Sequence, residues 1–183
     1  MTYHQPGGPA VARVAVTAPT RVNVDDVVVH TLAGRPTTLA PYAGQVRLFV
    51  NFSTRCVPTP QYAKLEALQR RFGHRGFTVL GFPSNQFFEE PGDERSIFAF
   101  CALTHPVKFP MFAKIKVNGR TQHPLYSELT RAPDATGRAG RVRWNYEKFL
   151  VTPAGGAHRF HPRTPPDAPE IISLIEASLP VST

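Results

Sequence analysis

The sequence predicts an α/β fold with a buried sheet at its centre. Two runs of apolar and β-branched residues, 46–52 and 77–82, read as buried strands. Between them Tyr62, Leu65, Leu68 and Phe72 recur at three- and four-residue spacing, which is one apolar face of a helix. Strand, helix and strand in that order make a βαβ unit with a right-handed crossover and parallel strands.

The first 23 residues carry no periodicity and read as a loosely packed arm ahead of a domain covering 24–183. Residues 27–32 and 37–39 read as two short strands around a turn at Ala33, Gly34 and Arg35. After the strand 46–52 the chain breaks at 54–60, where Thr59 is placed to cap the helix and Pro60 to occupy its first position. Gly73 or Gly76 ends that helix before the second buried strand. Residues 93–103 read as helical, with Ile97, Phe98 and Cys101 on one face. Residues 148–151 and 157–161 form a hairpin. Asp167 opens a last helix with Glu170 as its capping-box partner and Ile171, Ile172, Ile175 and Leu179 as its buried stripe.

At 183 residues the chain suits one core, burying roughly 70% of its unfolded surface. Its 19 prolines imply many fixed loops. No apolar run reaches the roughly 18 residues that span a bilayer, so no membrane span is expected. The N-terminus lacks a basic region followed by an apolar stretch, so the expected compartment is the cytoplasm. The net charge of +8 favours anionic partners. The basic residues are scattered through loops without interleaved aromatics, so no nucleic-acid partner is expected. Arg138, Arg141 and Arg143 precede Trp144 and are placed to rim a site there. The acid pairs Asp25–Asp26 and Glu89–Glu90 read as solvated, with Glu89 set aside for the reason given below.

Only two cysteines are present, 45 positions apart. Cys56 lies between a strand end and a helix N-terminus, where unpaired N–H groups and the helix dipole favour a thiolate, and Arg55 adds positive charge. A thiolate in such a loop suits nucleophilic attack. Cys101 shares a face with Ile97 and reads by position as a small core residue. Pairing with Cys56 requires its helix to open, because a disulfide needs Cα atoms within about 7 Å. Trp144 and Asn145 offer adjacent N–H donors that can stabilise a thiolate, although spacing alone does not bring them to Cys56. No GxSxG, GxGxxG, P-loop or CxxC pattern is present, and the seven histidines are dispersed, so neither cofactor nor metal is expected.

Several segments together resemble the glutathione peroxidase family. Asn51-Phe-Ser-Thr-Arg-Cys56-Val-Pro-Thr-Pro-Gln-Tyr62 is similar to its peroxidatic-cysteine motif, and Leu80-Gly-Phe-Pro-Ser-Asn-Gln-Phe87 to its second signature. Phe109-Pro-Met-Phe112, Val117-Asn-Gly119, His123-Pro-Leu-Tyr126 and Trp144-Asn-Tyr-Glu-Lys-Phe149 follow in family order, and the similarity runs from about Val24 to Leu179.

The resemblance implies a thioredoxin-like fold, a central mixed β-sheet flanked by helices. It also implies an antioxidant peroxidase that reduces hydrogen peroxide and organic hydroperoxides. Cys56 is then the peroxidatic residue, and Trp144 and Asn145 match two further members of the catalytic tetrad. Cys101 falls where thioredoxin-dependent members place their resolving cysteine. The implied reductant is thioredoxin. Glutathione attacking Cys56 directly with Cys101 inert, or a redox-sensor relay to a client protein, are the alternatives.

Ser84 stands where the family signature carries a further cysteine, Val57 where it carries Gly and Arg55 where it carries Lys. The stretch Phe87-Phe88-Glu89-Glu90-Pro91-Gly92 is one residue shorter than its family counterpart, and Glu89 lies opposite the tetrad Gln. A carboxylate there raises the Cys56 pKa and donates no hydrogen bond unless protonated, so Gln86 or a backbone N–H is the alternative donor. The short connection from Leu129 to Trp144 lacks the family's tetramer-forming insertion, which implies a monomer or weak dimer.

Overall fold

The computed structural model describes residues 19–54, 61–88, 90, 92–93, 95–97, 99 and 108–180. Its centre is a five-stranded sheet in the order β1(Thr20–Arg21), β7(Gly156–Phe160), β6(Lys148–Val151), β4(Val46–Phe52), β5(Phe77–Pro83). β4 and β5 pair in parallel, with Val46 opposite Phe77 and Phe52 opposite Pro83. The other three pairings are antiparallel, so the sheet is mixed. The arm expected at 1–23 thus contributes Thr20 and Arg21 to the sheet edge, and Val22 N–H donates to Gly155 O at 3.0 Å.

Every residue of β4 and β5 is buried, as their apolar composition requires. Period-two alternation divides β4 between two cores. Val46, Leu48, Val50 and Phe52 pack with Leu65, Leu68 and Phe72 of α1(Gln61–Phe72) and with Ile171 and Ile175 of α3(Pro169–Ser178). Phe49 faces the other side, with Phe82, Phe112, Phe149 and the residues Leu125, Tyr126 and Leu129 of α2(Pro124–Leu129). Each such side chain, fully buried, is worth about 1.5–3 kcal/mol.

The apolar stripe of α1 is as the spacing predicts. The helix passes into a 3-10 turn at Gly73–Arg75, and Gly76 closes it in the left-handed region at φ 86°. The proposed Thr59 and Pro60 cap lies outside the described residues. So does most of the helix expected at 93–103, of which 95–97 and 99 are helical and Ile97 is buried.

Three expectations need correction. The strands expected at 27–32 and 37–39 shrink to β2(Val29–His30) and β3(Pro36–Thr37), because Thr31 to Arg35 is taken up by the turn, with Gly34 at φ 76°. The last helix begins one residue late: Ala168 is its N-cap without a side-chain bond, and Pro169 is its first residue. Proline needs no N–H partner there. Asp167 instead pairs with Lys64 at 2.8 Å, and no capping-box bond forms. Thirdly, Glu90 is buried and not a solvated acid, while Asp25, with its side chain 40% exposed, pairs with the buried Arg47. Among the described residues no helix is long and apolar enough to cross a membrane.

Candidate active site

Cys56 lies in the segment 55–60, between the exit of β4 and the start of α1, outside the described residues. The chain entering that segment is held tightly. Asn51 is an amide inside an otherwise apolar strand and is fully buried. Its Nδ2 donates to Trp144 O at 3.0 Å, and its backbone O accepts the Tyr146 N–H at 2.6 Å. The Tyr146 hydroxyl reaches Ser53 O at 3.5 Å. The turn carrying Trp144 and Asn145 is thereby docked on residues 51–53, directly upstream of Cys56. Tyr146 sits at φ 64°, a left-handed conformation costing a non-glycine residue about 1–2 kcal/mol. It persists because its own N–H and carbonyl are both bonded, to Asn51 O and Lys148 Nζ. Asn145 is buried at 1% exposure, whereas Trp144 is 48% exposed.

Charged residues buried beneath the turn fix it from below. Lys148 Nζ donates to Tyr146 O at 2.6 Å and to Pro162 O at 3.2 Å. Burial lowers its pKa to about 7, against the opposing charge of Glu147. Glu147 pairs with Arg159 at 2.5 Å and accepts the Arg143 N–H at 2.6 Å. Arg159 in turn donates to Gly140 O and Arg141 O, both at 2.8 Å. The Arg143 guanidinium is bonded to Asp134. Burial alone pushes the Asp134 carboxyl up, but hydrogen bonds from Thr136, Arg143 and Arg138 hold it well below the usual carboxylate range.

The opposite wall comes from the chain after β5. The Trp144 ring lies 5.1 Å from that of Phe87. Phe88 projects at 91% exposure from a left-handed backbone at φ 61°. Phe87, Phe88, Val142 and Trp144, rimmed by Arg138 and Arg141, line an open groove of about 530 Å³. An apolar floor with a cationic rim fits an amphipathic or acidic visitor.

Of the residues singled out in the sequence, Trp144 and Asn145 are brought to the strand exit before Cys56. Cys56, Cys101 and Glu89 lie outside the described residues. Gln86 is committed elsewhere: its Oε1 accepts the N–H groups of Val117 and Asn118 at 2.5 and 2.7 Å, and its Nε2 donates to Asn118 O at 2.9 Å. Asn118 then bonds both backbone groups of Val142, at 2.9 and 2.8 Å. Gln86 therefore braces the approach to Trp144, using one of the two hydrogens on its Nε2. Sequence reasoning missed Asn51, Lys148 and Glu90. The signal for Asn51 was a polar residue within a buried strand. Among the described residues no three metal-ligating side chains converge.

The family model for glutathione peroxidase matches residues 24–130. The chain is 42% identical over 173 residues to the thioredoxin/glutathione peroxidase BtuE of Escherichia coli, covering 83% of this chain and 94% of that protein. The crystal structure of Trgpx in its apo form is similar over 88% of this chain and 99% of that one, with a TM-score of 0.67 at 34% identity. A thiol:disulfide interchange protein of the thioredoxin family from Chlorobium tepidum has a TM-score of 0.61 over 91% of this chain and 100% of that one. At 16% identity that likeness concerns the fold alone, which is thioredoxin-like in both.

Proposed function

Since the chain belongs to the glutathione peroxidase family and is a peroxidase, we propose that it reduces hydroperoxides through Cys56, with Trp144 and Asn145 as hydrogen-bond donors and Cys101 as the resolving residue. The Cys56 thiolate attacks one peroxide oxygen. The O–O bond breaks, the sulfur becomes a sulfenic acid, and the leaving oxygen takes a proton to depart as water or an alcohol. The Cys101 thiol then condenses with the sulfenic acid, forming the disulfide and releasing water. An external dithiol reduces that disulfide by exchange and carries it away.

The observation that carries this reading is the docking of the Trp144–Tyr146 turn on residues 51–53. It brings the backbone of the turn that carries Trp144 and Asn145 beside the chain from which Cys56 departs, which supports their proposed role as donors. Preorganised donors aimed at developing charge are worth on the order of 10²–10³ in rate each. In place of a donor from Glu89, the second Nε2 hydrogen of Gln86 or a backbone N–H is the proposed third donor.

Thioredoxin is the proposed reductant. A second reading has glutathione attack the Cys56 sulfenic acid, and it is favoured by the Escherichia coli relative, whose name carries both reductants. Peroxide consumption with each reductant in turn separates them. With thioredoxin, Cys56→Ser is inactive and Cys101→Ser oxidises once and stalls. Undiminished turnover of Cys101→Ser removes the resolving role, and turnover of Cys56→Ser removes the whole reading. The short connection between Leu129 and Trp144 supports a monomer or weak dimer, which sedimentation tests, and the cytoplasm is the proposed compartment.

A further inference from the structure

Glu90 is 1% exposed. Its Oε1 accepts the Thr54 hydroxyl at 2.8 Å, and its Oε2 accepts the Thr54 backbone N–H. One carboxylate therefore takes both polar hydrogens of one residue, two positions before Cys56 in the chain. The backbone of Glu90 is held as well. Its N–H donates to Asn85 Oδ1 at 3.0 Å, and its carbonyl accepts Lys114 Nζ at 3.1 Å. The same ammonium bonds Gly92 O. A methyl group on Gly92 would stand 3.4 Å from Glu90 Oε1 and 3.2 Å from Ser96 Cβ, so Gly92 fills the gap between the carboxylate and the helical stretch at 95–97. Asp93 anchors that stretch through the Ser96 N–H and hydroxyl, at 2.8 and 2.6 Å. Cys101 follows Asp93 by eight positions.

Burying a carboxylate is costly before its bonds are counted, and apolar side chains of similar volume often stabilise a site as well or better. What a carboxylate supplies, and a leucine does not, is a fixed place for the two hydrogens it accepts. Resting on the reading of Cys56 as peroxidatic, we propose that Glu90 is its positioning residue: it fixes Thr54, sets where Cys56 leaves the sheet, and ties that exit to the chain leading toward Cys101. Glu90 touches no reacting atom and acts through Thr54. Displacement by sulfur at a peroxide oxygen needs sulfur, peroxide and donors aligned, and an error of about 1 Å can cost on the order of 100-fold.

The test uses the full chain with Cys101→Ser, so that only the first oxidation is seen. Reduced protein and its Glu90→Ala, Glu90→Gln and Thr54→Val variants are mixed with hydrogen peroxide, quenched, and scored for Cys56 oxidation by mass spectrometry. A parallel series uses iodoacetamide, which needs the thiolate but not the donors. Glu90→Ala is expected to slow oxidation at least about tenfold while alkylation stays within about twofold. Glu90→Gln recovers most of the loss, because its amide accepts the Thr54 N–H and donates to the hydroxyl. Thr54→Val, which keeps the carboxylate and one bond, falls between and serves where Glu90→Ala does not fold. Equal slowing of both reagents marks general loosening and overturns the proposal, as does oxidation of Glu90→Ala at the parent rate. If Cys56 of the parent ignores peroxide, the peroxidatic reading fails first; if the parent reacts and the variants match it, only the role of Glu90 falls.

Discussion

Trp144 and Asn145 differ in how they are held, and that difference separates what substitution does to each. Trp144 is half-exposed and touches Phe87, whereas Asn145 is buried within the turn. Trp144→Phe keeps a ring against Phe87 and removes only the indole N–H. It should lower the rate constant for Cys56 oxidation by about 100-fold with little change in stability, as stopped-flow kinetics and thermal unfolding will show. A loss below about threefold would remove Trp144 from the donor set. At this scale Glu90 was misread from sequence, and the partner of Asp25 was not foreseen. Asp25 finds Arg47 at 22 positions and Glu90 finds Thr54 at 36. Local polarity marks a residue as able to bond; it does not say that a partner will fold over it.

Among the elements, β4 and β5 were legible as continuous apolar runs whose burial is complete, and α1 by its periodic apolar face. The βαβ unit and the terminal hairpin follow from such signals. The turn at 144–146 was legible as residue types but not as a shape, because nothing local requires Tyr146 to adopt a positive φ. That shape is imposed from a distance by Asn51 and from β6 by Lys148, which joins Tyr146 to Pro162. Burial, the larger influence, lowers the Lys148 pKa to about 7, and Glu147 opposes it. The sign follows from proton counting. Below pH 7 the folded and unfolded states both hold the proton and the burial penalty is complete. Between about 7 and 10.5 the unfolded chain keeps a proton that the folded chain has shed, so stability rises with pH. The slope reaches at most about 1.4 kcal/mol per pH unit. Urea unfolding from pH 6 to 10, with both cysteines replaced by Ser, should show this rise, and Lys148→Met should lack it. Parallel curves for the two proteins would show that Lys148 does not titrate in the fold.

Across the whole molecule the net charge is +8, yet its basic residues do not act alike. Arg47, Arg143 and Arg159 are spent on internal carboxylates. All three arginines expected to rim the site line the groove; Arg143 is held there by Asp134, whereas Arg138 and Arg141 are exposed. Exchanging both for Gln should raise KM for an acidic reductant or a phospholipid hydroperoxide, leave kcat near its parent value, and flatten the dependence of kcat/KM on salt. Steady-state turnover across a sodium chloride series reads all three, and unchanged KM would return the pair to plain surface charge.

Trp144 is the chain's one tryptophan, and it stands against Phe87 on the wall of the groove. All indole emission from this protein therefore originates at a single address, next to the proposed donors. The molecule carries its own optical label: excited at the red edge of the ultraviolet band, where its five tyrosines do not absorb, its emission reports on that pocket with no dye attached.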